Sequence, residues 1–126
     1  MKNVLGIKKL AKENENFRKV VLTGKQCQMV VMNLAPGDQI GEEIHATTDQ
    51  LFFVEEGHGE LVIDNKAQPL QEHEVGFVPA GTRHNVINAG KKPLRLFTVY
   101  SPPVHAPASL LRCRRTCGMG RPAGSS

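Results

Sequence analysis

Between Phe17 and Tyr100 the chain never sustains a helix-length apolar stretch. It runs as short aliphatic segments, each closed by a turn. Val20-Val21-Leu22 and Met29-Val30-Val31-Met32 are separated by Thr23-Gly24-Lys25, and Pro36-Gly37-Asp38 makes the next turn. Leu51 to Glu55 and Leu61 to Asp64 flank Glu56-Gly57-His58-Gly59, whose glycines permit the positive φ of a hairpin. Asp64-Asn65-Lys66 turns again before Val75 to Val78. His84 to Asn88 and Leu94 to Tyr100 are bridged by Ala89-Gly90-Lys91-Lys92-Pro93. Eight or more short strands at this spacing predict an all-β sandwich or barrel. Only Leu5 to Glu13 has helical period, with Ile7, Leu10 and Ala11 on one side, and a helix of about two turns there needs support from the rest of the fold.

A chain of 126 residues with 40% hydrophobic content supports one core, so one domain is expected. Three parts are distinguished: a helical segment over 1–16, a barrel over 17–101, and a Pro/Gly/Arg-rich tail over 102–126 expected to be disordered. No apolar run of about 18 residues is present, so no membrane span is expected. The first residues lack the apolar stretch of a secretory signal, and a cytoplasmic location is the expectation. Arg112, Arg114, Arg115 and Arg121 account for the whole net charge of +4, because the tail holds no acidic residue. The neutral body, with 5% aromatic residues and no Trp, gives no basic, stacking face for nucleic acid. Cys27 sits by an apolar run and is expected to be a buried thiol, while Cys113 and Cys117 lie in the tail, so no disulfide framework is expected.

Two segments carry chemistry: Pro36 to Gly59 and Pro79 to Asn88. Glu43 and His45 stand two residues apart, so on an extended chain both point to one side. Gln50 opens the next strand after the Ala46 to Asp49 turn. Pro79-Ala80-Gly81 forces a tight turn that aims His84 inward. Four metal-capable side chains from three segments can thus converge.

At these residues the chain resembles the cupin family. Gly37, His45 and Gly57 match the family's first motif, G-x5-H-x-H-x3-4-E-x6-G. Pro79, Gly81, His84 and Asn88 match the second, G-x5-P-x-G-x2-H-x3-N. Glu43 replaces the first motif's leading histidine, Gln50 its glutamate, and His73 the glycine that opens the second. The resemblance covers about residues 17 to 100 and points to a small single-domain bacterial cupin. It implies a double-stranded β-helix (jelly-roll) barrel behind a short N-terminal helix, and dimerisation through N-terminal strands. The usual tail of this subgroup is acidic and lysine-bearing. The tail here reads LLRCRRTCGMGRPAGSS, expected to be a replaced or frame-shifted C-terminus. A second reading frame of the gene that restores the usual tail would confirm this; its absence would refute it.

Two imidazoles, one carboxylate and one amide oxygen suit a single divalent transition metal: Zn, Mn, Fe, Ni or Co. Glu43, His45, Gln50 and His84 are the expected ligands, and Glu43 also the expected catalytic proton carrier. With one anionic ligand a divalent ion keeps positive charge, which favours a substrate oxygen or ionised water. The leading expectation is a metal-dependent cupin acting on a small polar or carbohydrate-like molecule, by sugar isomerisation through an enediol. Phosphomannose isomerases are cupin-type zinc enzymes with the ligand types Gln-x-His, Glu and His, and here Glu and Gln are exchanged. The alternatives are a dioxygenase-like cupin, to which two His and one carboxylate are suited, and a non-enzymatic binding module. No Ser-His-acid set or Gly-rich phosphate loop is present. The expected partners are a small-molecule ligand and a second copy of the chain. Asp49 is an alternative ligand only if the strand register shifts. Arg83 is expected to face away from the site, Asn88 to hold a turn, and Phe52, Phe77, Phe97 and Tyr100 to be core, with room for one or two of them to line the pocket.

Overall fold

The computed structural model describes residues 2–112. Helix α1 (Ile7–Glu13) precedes nine strands: β1 (Arg18–Thr23), β2 (Gln28–Leu34), β3 (Asp49–Glu56), β4 (His58–Ile63), β5 (Lys66–Gln71), β6 (Val75–Val78), β7 (His84–Asn88), β8 (Leu94–Ser101) and β9 (Leu110–Leu111). They form two antiparallel sheets, ordered β6-β3-β8-β2-β1-β9 and β5-β4-β7. This is the expected jelly roll, built as two facing sheets; the hydrogen-bonded ladder does not close into one barrel.

Alternation along the strands defines the core. On β3 the inward Gln50, Phe52 and Val54 are buried, and on β8 Leu94, Leu96, Thr98 and Tyr100. The β3–β8 register sets Gln50 opposite Tyr100 and Phe52 opposite Thr98. Directly opposed residues share a face, so a polar layer of Gln50, Tyr100 and Thr98 lies above an apolar floor of Phe52, Val54 and Leu96. The β3–β4 hairpin is closed by Gly57 at φ 102, and a Cβ there would lie 2.7 Å from Pro93 O. Both the backbone angle and the close approach require glycine.

Helix α1 packs on β8, β2 and β3 and buries Ala11. Its C-terminal end is held by Arg95, whose Nη1 donates to Lys12 O at 2.7 Å and Asn14 O at 2.8 Å. A guanidinium on the last carbonyls of a helix satisfies acceptors that have no intrahelical donor.

Three expectations are corrected. Residues 102–112 of the expected disordered tail are built into the fold: β9 pairs with β1, and Val20 N donates to Ser109 O at 3.0 Å. Backbone pairing on an open sheet edge supplies what the segment's composition lacks. Residues 113–126, with Cys113 and Cys117, lie outside the described residues. Cys27 is exposed, because Gly24 N bonds to Cys27 O at 2.8 Å and closes a turn one residue before β2 starts. Phe77 is 52% exposed, and Phe97 is half-buried and stacked on Phe53 at 4.9 Å. Both lie on the outer face of their strands, and β6 is an edge strand.

Candidate metal centre

The two motif segments are tied together by backbone. Glu43 N donates to His84 O at 2.9 Å, and His84 N to Glu43 O at 2.9 Å. This reciprocal pair forms an isolated bridge that sets the two side chains on one side. Gly81 N donates to His45 O at 2.8 Å, so the Pro79-Ala80-Gly81 turn clamps the chain beside His45. The segment around Glu43 is not the continuous strand that the Glu43/His45 spacing predicts. It pairs with β7 as two isolated bridges, Gln39–Ile87 and Glu43–His84, with Gly41 at φ 101 between them. Alternation survives locally: Ile44 points to solvent.

One ligand atom each from Glu43, His45 and His84 lies within 4.8 Å of the others. His45 Nε2 is 3.4 Å from Glu43 Oε1, and the two imidazole centroids are 5.5 Å apart. His84 is 1% exposed. Its Nδ1 contacts Thr82 O at 2.9 Å. A carbonyl can only accept, so Nδ1 carries the proton and Nε2 presents a lone pair to the cluster. Gln50, also 1% exposed, donates from Nε2 to Thr98 Oγ1 at 2.9 Å, and Thr98 in turn donates to Leu51 O at 2.7 Å. That chain fixes the amide with its oxygen free.

His45 Nε2, His84 Nε2 and Gln50 Oε1 are all buried without a hydrogen-bond partner. Each unsatisfied buried acceptor costs about 1–3 kcal/mol, and native interiors hold few of them. Two of them, the His45 and His84 nitrogens, converge beside the Glu43 carboxylate, a donor set that a divalent cation satisfies. The residues therefore fit a metal, with Glu43, His45 and His84 as a three-ligand face.

Tyr100 and His105 extend the polar layer. Tyr100 lies edge-on to His45 at 5.7 Å, and its hydroxyl is 3.2 Å from His105 Nε2. Burial pushes the Tyr100 phenol well above its usual range, the Glu43 charge adds to this, and Arg18 and Gln50 oppose it. Tyr100 is thus a neutral hydroxyl at physiological pH. Burial, with Arg18 and His45, lowers His105 to about 4. Sequence reading placed Tyr100 in the core and His105 in a disordered tail. The missed signal is Gln28, fully buried, which donates to His105 O at 2.7 Å and accepts from His105 N at 3.0 Å.

The other expected residues are placed outside the cluster. Asp49 is exposed and accepts from Ala80 N at 2.8 Å, holding the Pro79 turn. Arg83 pairs with Glu42 at 2.9 Å. Asn88 donates to Leu34 O at 2.9 Å and Lys92 O at 2.8 Å and accepts from Gly90 N at 2.9 Å, tying the β7–β8 turn. His58 is exposed, and His73 sits in a turn at φ 67.

Residues 30–100 match the cupin domain model. The chain is 39% identical over 108 residues to YrkC of Bacillus subtilis, covering 81% of this chain and 58% of that protein. It thus spans little more than half of that relative's length. The solved structure of BH2720 from Bacillus halodurans superposes with a TM-score of 0.85 at 34% identity, covering 86% of this chain and 87% of that one. A weaker likeness, 28% over 78 residues, joins 62% of this chain to 17% of the mannose-1-phosphate guanylyltransferase of Salmonella montevideo. With the family model spanning more than half the chain, and the jelly roll carrying the second motif's turn and histidine, the chain belongs to the cupin family.

Proposed function

We propose that the chain is a metal-dependent cupin that acts on a small polar, carbohydrate-like molecule as a sugar isomerase, with Glu43, His45, Gln50 and His84 holding one divalent transition metal. The observation that carries the metal is the convergence of two unpartnered imidazole nitrogens, of His45 and His84, beside the Glu43 carboxylate. A bound divalent ion would supply Lewis-acid polarisation of a carbonyl or hydroxyl oxygen. Glu43 is the one acid of the cluster, and its side chain is 34% exposed, so it can meet both the two histidines and an entering substrate.

In the isomerase reading, the Glu43 carboxylate takes the proton from the carbon next to the substrate carbonyl. The C–H electrons form the enediol C=C bond, and the carbonyl oxygen gains a proton. Glu43 then returns its proton to the former carbonyl carbon while the neighbouring hydroxyl loses one, so the step needs no oxidant. Tyr100, a neutral hydroxyl that feels the Glu43 charge, would be the hydrogen-bond donor to a substrate oxygen in this reading. The likeness to a mannose-1-phosphate guanylyltransferase supports a sugar-like substrate.

The test is proton exchange with solvent deuterium at the carbon beside the carbonyl, screened over small aldoses and ketoses with the metal-loaded protein. Exchange that is lost in Glu43→Gln supports the reading; no exchange with any of them refutes it. The two-histidine, one-carboxylate set also favours a second reading, dioxygenase-like chemistry on iron or nickel. Oxygen consumption that depends on the metal separates it from the first. Retained ligand affinity in a protein that takes up no metal would instead identify a binding module.

A further inference from the structure

Arg18 is a cation on the inward side of its strand. It stands opposite Met32 on β2 and Leu111 on β9, both of which pack on the core. Its neighbour Lys19 takes the outer face and is exposed. Arg18 Nε is buried without a hydrogen-bond partner. Among the described residues, no ion pair includes Arg18.

Arg18 is half-buried, and no carboxylate among the described residues takes up its fork. The surroundings here supply donors instead of a carboxylate. Ser109 faces Val20 across the β1–β9 ladder, through Val20 N to Ser109 O at 3.0 Å. It therefore shares the inward face with Arg18, one diagonal step away. Ser109 Oγ is likewise buried without a partner. The strap that carries Ser109 is pinned by Gln28, whose Oε1 accepts from Val104 N at 3.3 Å and His105 N at 3.0 Å. Pinning sets His105 on the Tyr100 hydroxyl. The Arg18 charge reaches both Tyr100 and His105, and Tyr100 also feels Glu43. Tyr100 thus feels both the Glu43 carboxylate of the cluster and the Arg18 guanidinium.

We propose that Arg18, with Ser109 Oγ, forms an anion-binding subsite that takes the carboxylate or phosphate of the same small substrate whose reacting carbons meet Glu43. The planar fork of arginine matches both groups. This rests on the reading of the neighbouring cluster as the reaction centre.

The experiment titrates inorganic phosphate and malonate into wild-type, Arg18→Gln and Arg18→Lys proteins, each metal-loaded and after chelation, by calorimetry and thermal unfolding. The subsite predicts that at least one anion binds wild type and raises its Tm. Arg18→Gln should weaken that binding tenfold or more, with metal content unchanged. Chelated wild type should keep the affinity, because Arg18 and not the metal holds the anion. In anion-free buffer Arg18→Gln should unfold no lower than wild type, since it removes an unpaired charge. If Arg18→Gln does not fold, Arg18→Lys, which keeps the charge and loses the fork, makes the same comparison. Binding of neither anion, binding unchanged in the variants, or binding abolished by chelation overturns the subsite. Arg18-dependent binding in a protein that takes up no metal would overturn the metal centre and leave the subsite standing.

Discussion

Replacing Gln50 by leucine separates a ligand from a structural hydrogen bond. In the metal-free protein Gln50 Oε1 is buried with no partner, at a cost of about 1–3 kcal/mol. Leucine removes that cost at nearly constant volume. It also removes the Nε2 bond to Thr98 Oγ1, whose net contribution is about 0.5–1.5 kcal/mol. Thr98 is not stranded, because it still donates to Leu51 O at 2.7 Å. The balance favours the variant by about 1 kcal/mol, a rise of roughly 4 °C in Tm for a domain of this size. With metal the sign reverses. An ion held at a hundred times its Kd stabilises wild type by about 2.7 kcal/mol, and a variant lacking one ligand gains less. Urea unfolding of both proteins, in chelator and in excess divalent metal, reads this directly. Gln50→Leu should be as stable as wild type or more so in chelator, and less stable in metal. A loss of more than about 1 kcal/mol that is the same in both conditions would show that Gln50 only braces the core.

Further outcomes follow from other contacts. Asn88→Ala leaves Leu34 O, Lys92 O and Gly90 N without their side-chain partner, and chemical denaturation should show a loss of about 2–4 kcal/mol. His105 binds its proton less readily when folded, its pKa lowered to about 4 from 6.5. The unfolded chain therefore takes up more protons, and stability falls as pH drops from about 6.5 to 4. His105→Gln should flatten that limb of the stability profile, and an unchanged limb would place the proton uptake elsewhere. The outer face of the six-stranded sheet exposes Leu51, Val75 and Phe77 side by side. This exposed apolar face, and not the N-terminal strands that the family resemblance implies, is where we expect a second copy of the chain to pack. Light scattering should find a dimer that Phe77→Glu converts to a monomer, and a wild-type monomer at tens of micromolar would exclude it.

Much of the centre is legible in the chain because it is local. Glu43-x-His45 needs only alternation, and Pro79-Ala80-Gly81 aims His84 with a turn three residues long. The strand pattern is legible for the same reason, and only the edges mislead. Phe77 reads as core because its exposure depends on β6 being an edge strand, a property of the sheet order and not of its own neighbours. Cys27 reads as strand because the turn that excludes it is set by one backbone bond from Gly24. His105 and Arg18 escape sequence reading because long-range contacts assemble their surroundings, whereas Tyr100 is core as the sequence indicates. Gln28 reaches His105 across 77 residues, and the pairing of β1 with β9 brings a segment of tail-like composition against the first strand. No local pattern encodes either. The free lone pairs of His84 and Gln50 are also invisible in sequence, since they depend on Thr82 O and Thr98 Oγ1 occupying the opposite atoms.

The metal content of the purified protein bears most directly on the centre. Elemental analysis would compare wild type with the Glu43→Ala, His84→Ala double variant, as isolated and after incubation with excess divalent ions. About one equivalent in wild type, absent from the variant, is the expected result, and the element found would separate oxygen chemistry on iron from isomerase-type chemistry on zinc or manganese. No metal in wild type even after incubation would contradict the centre and leave the cupin fold as a metal-free binding module.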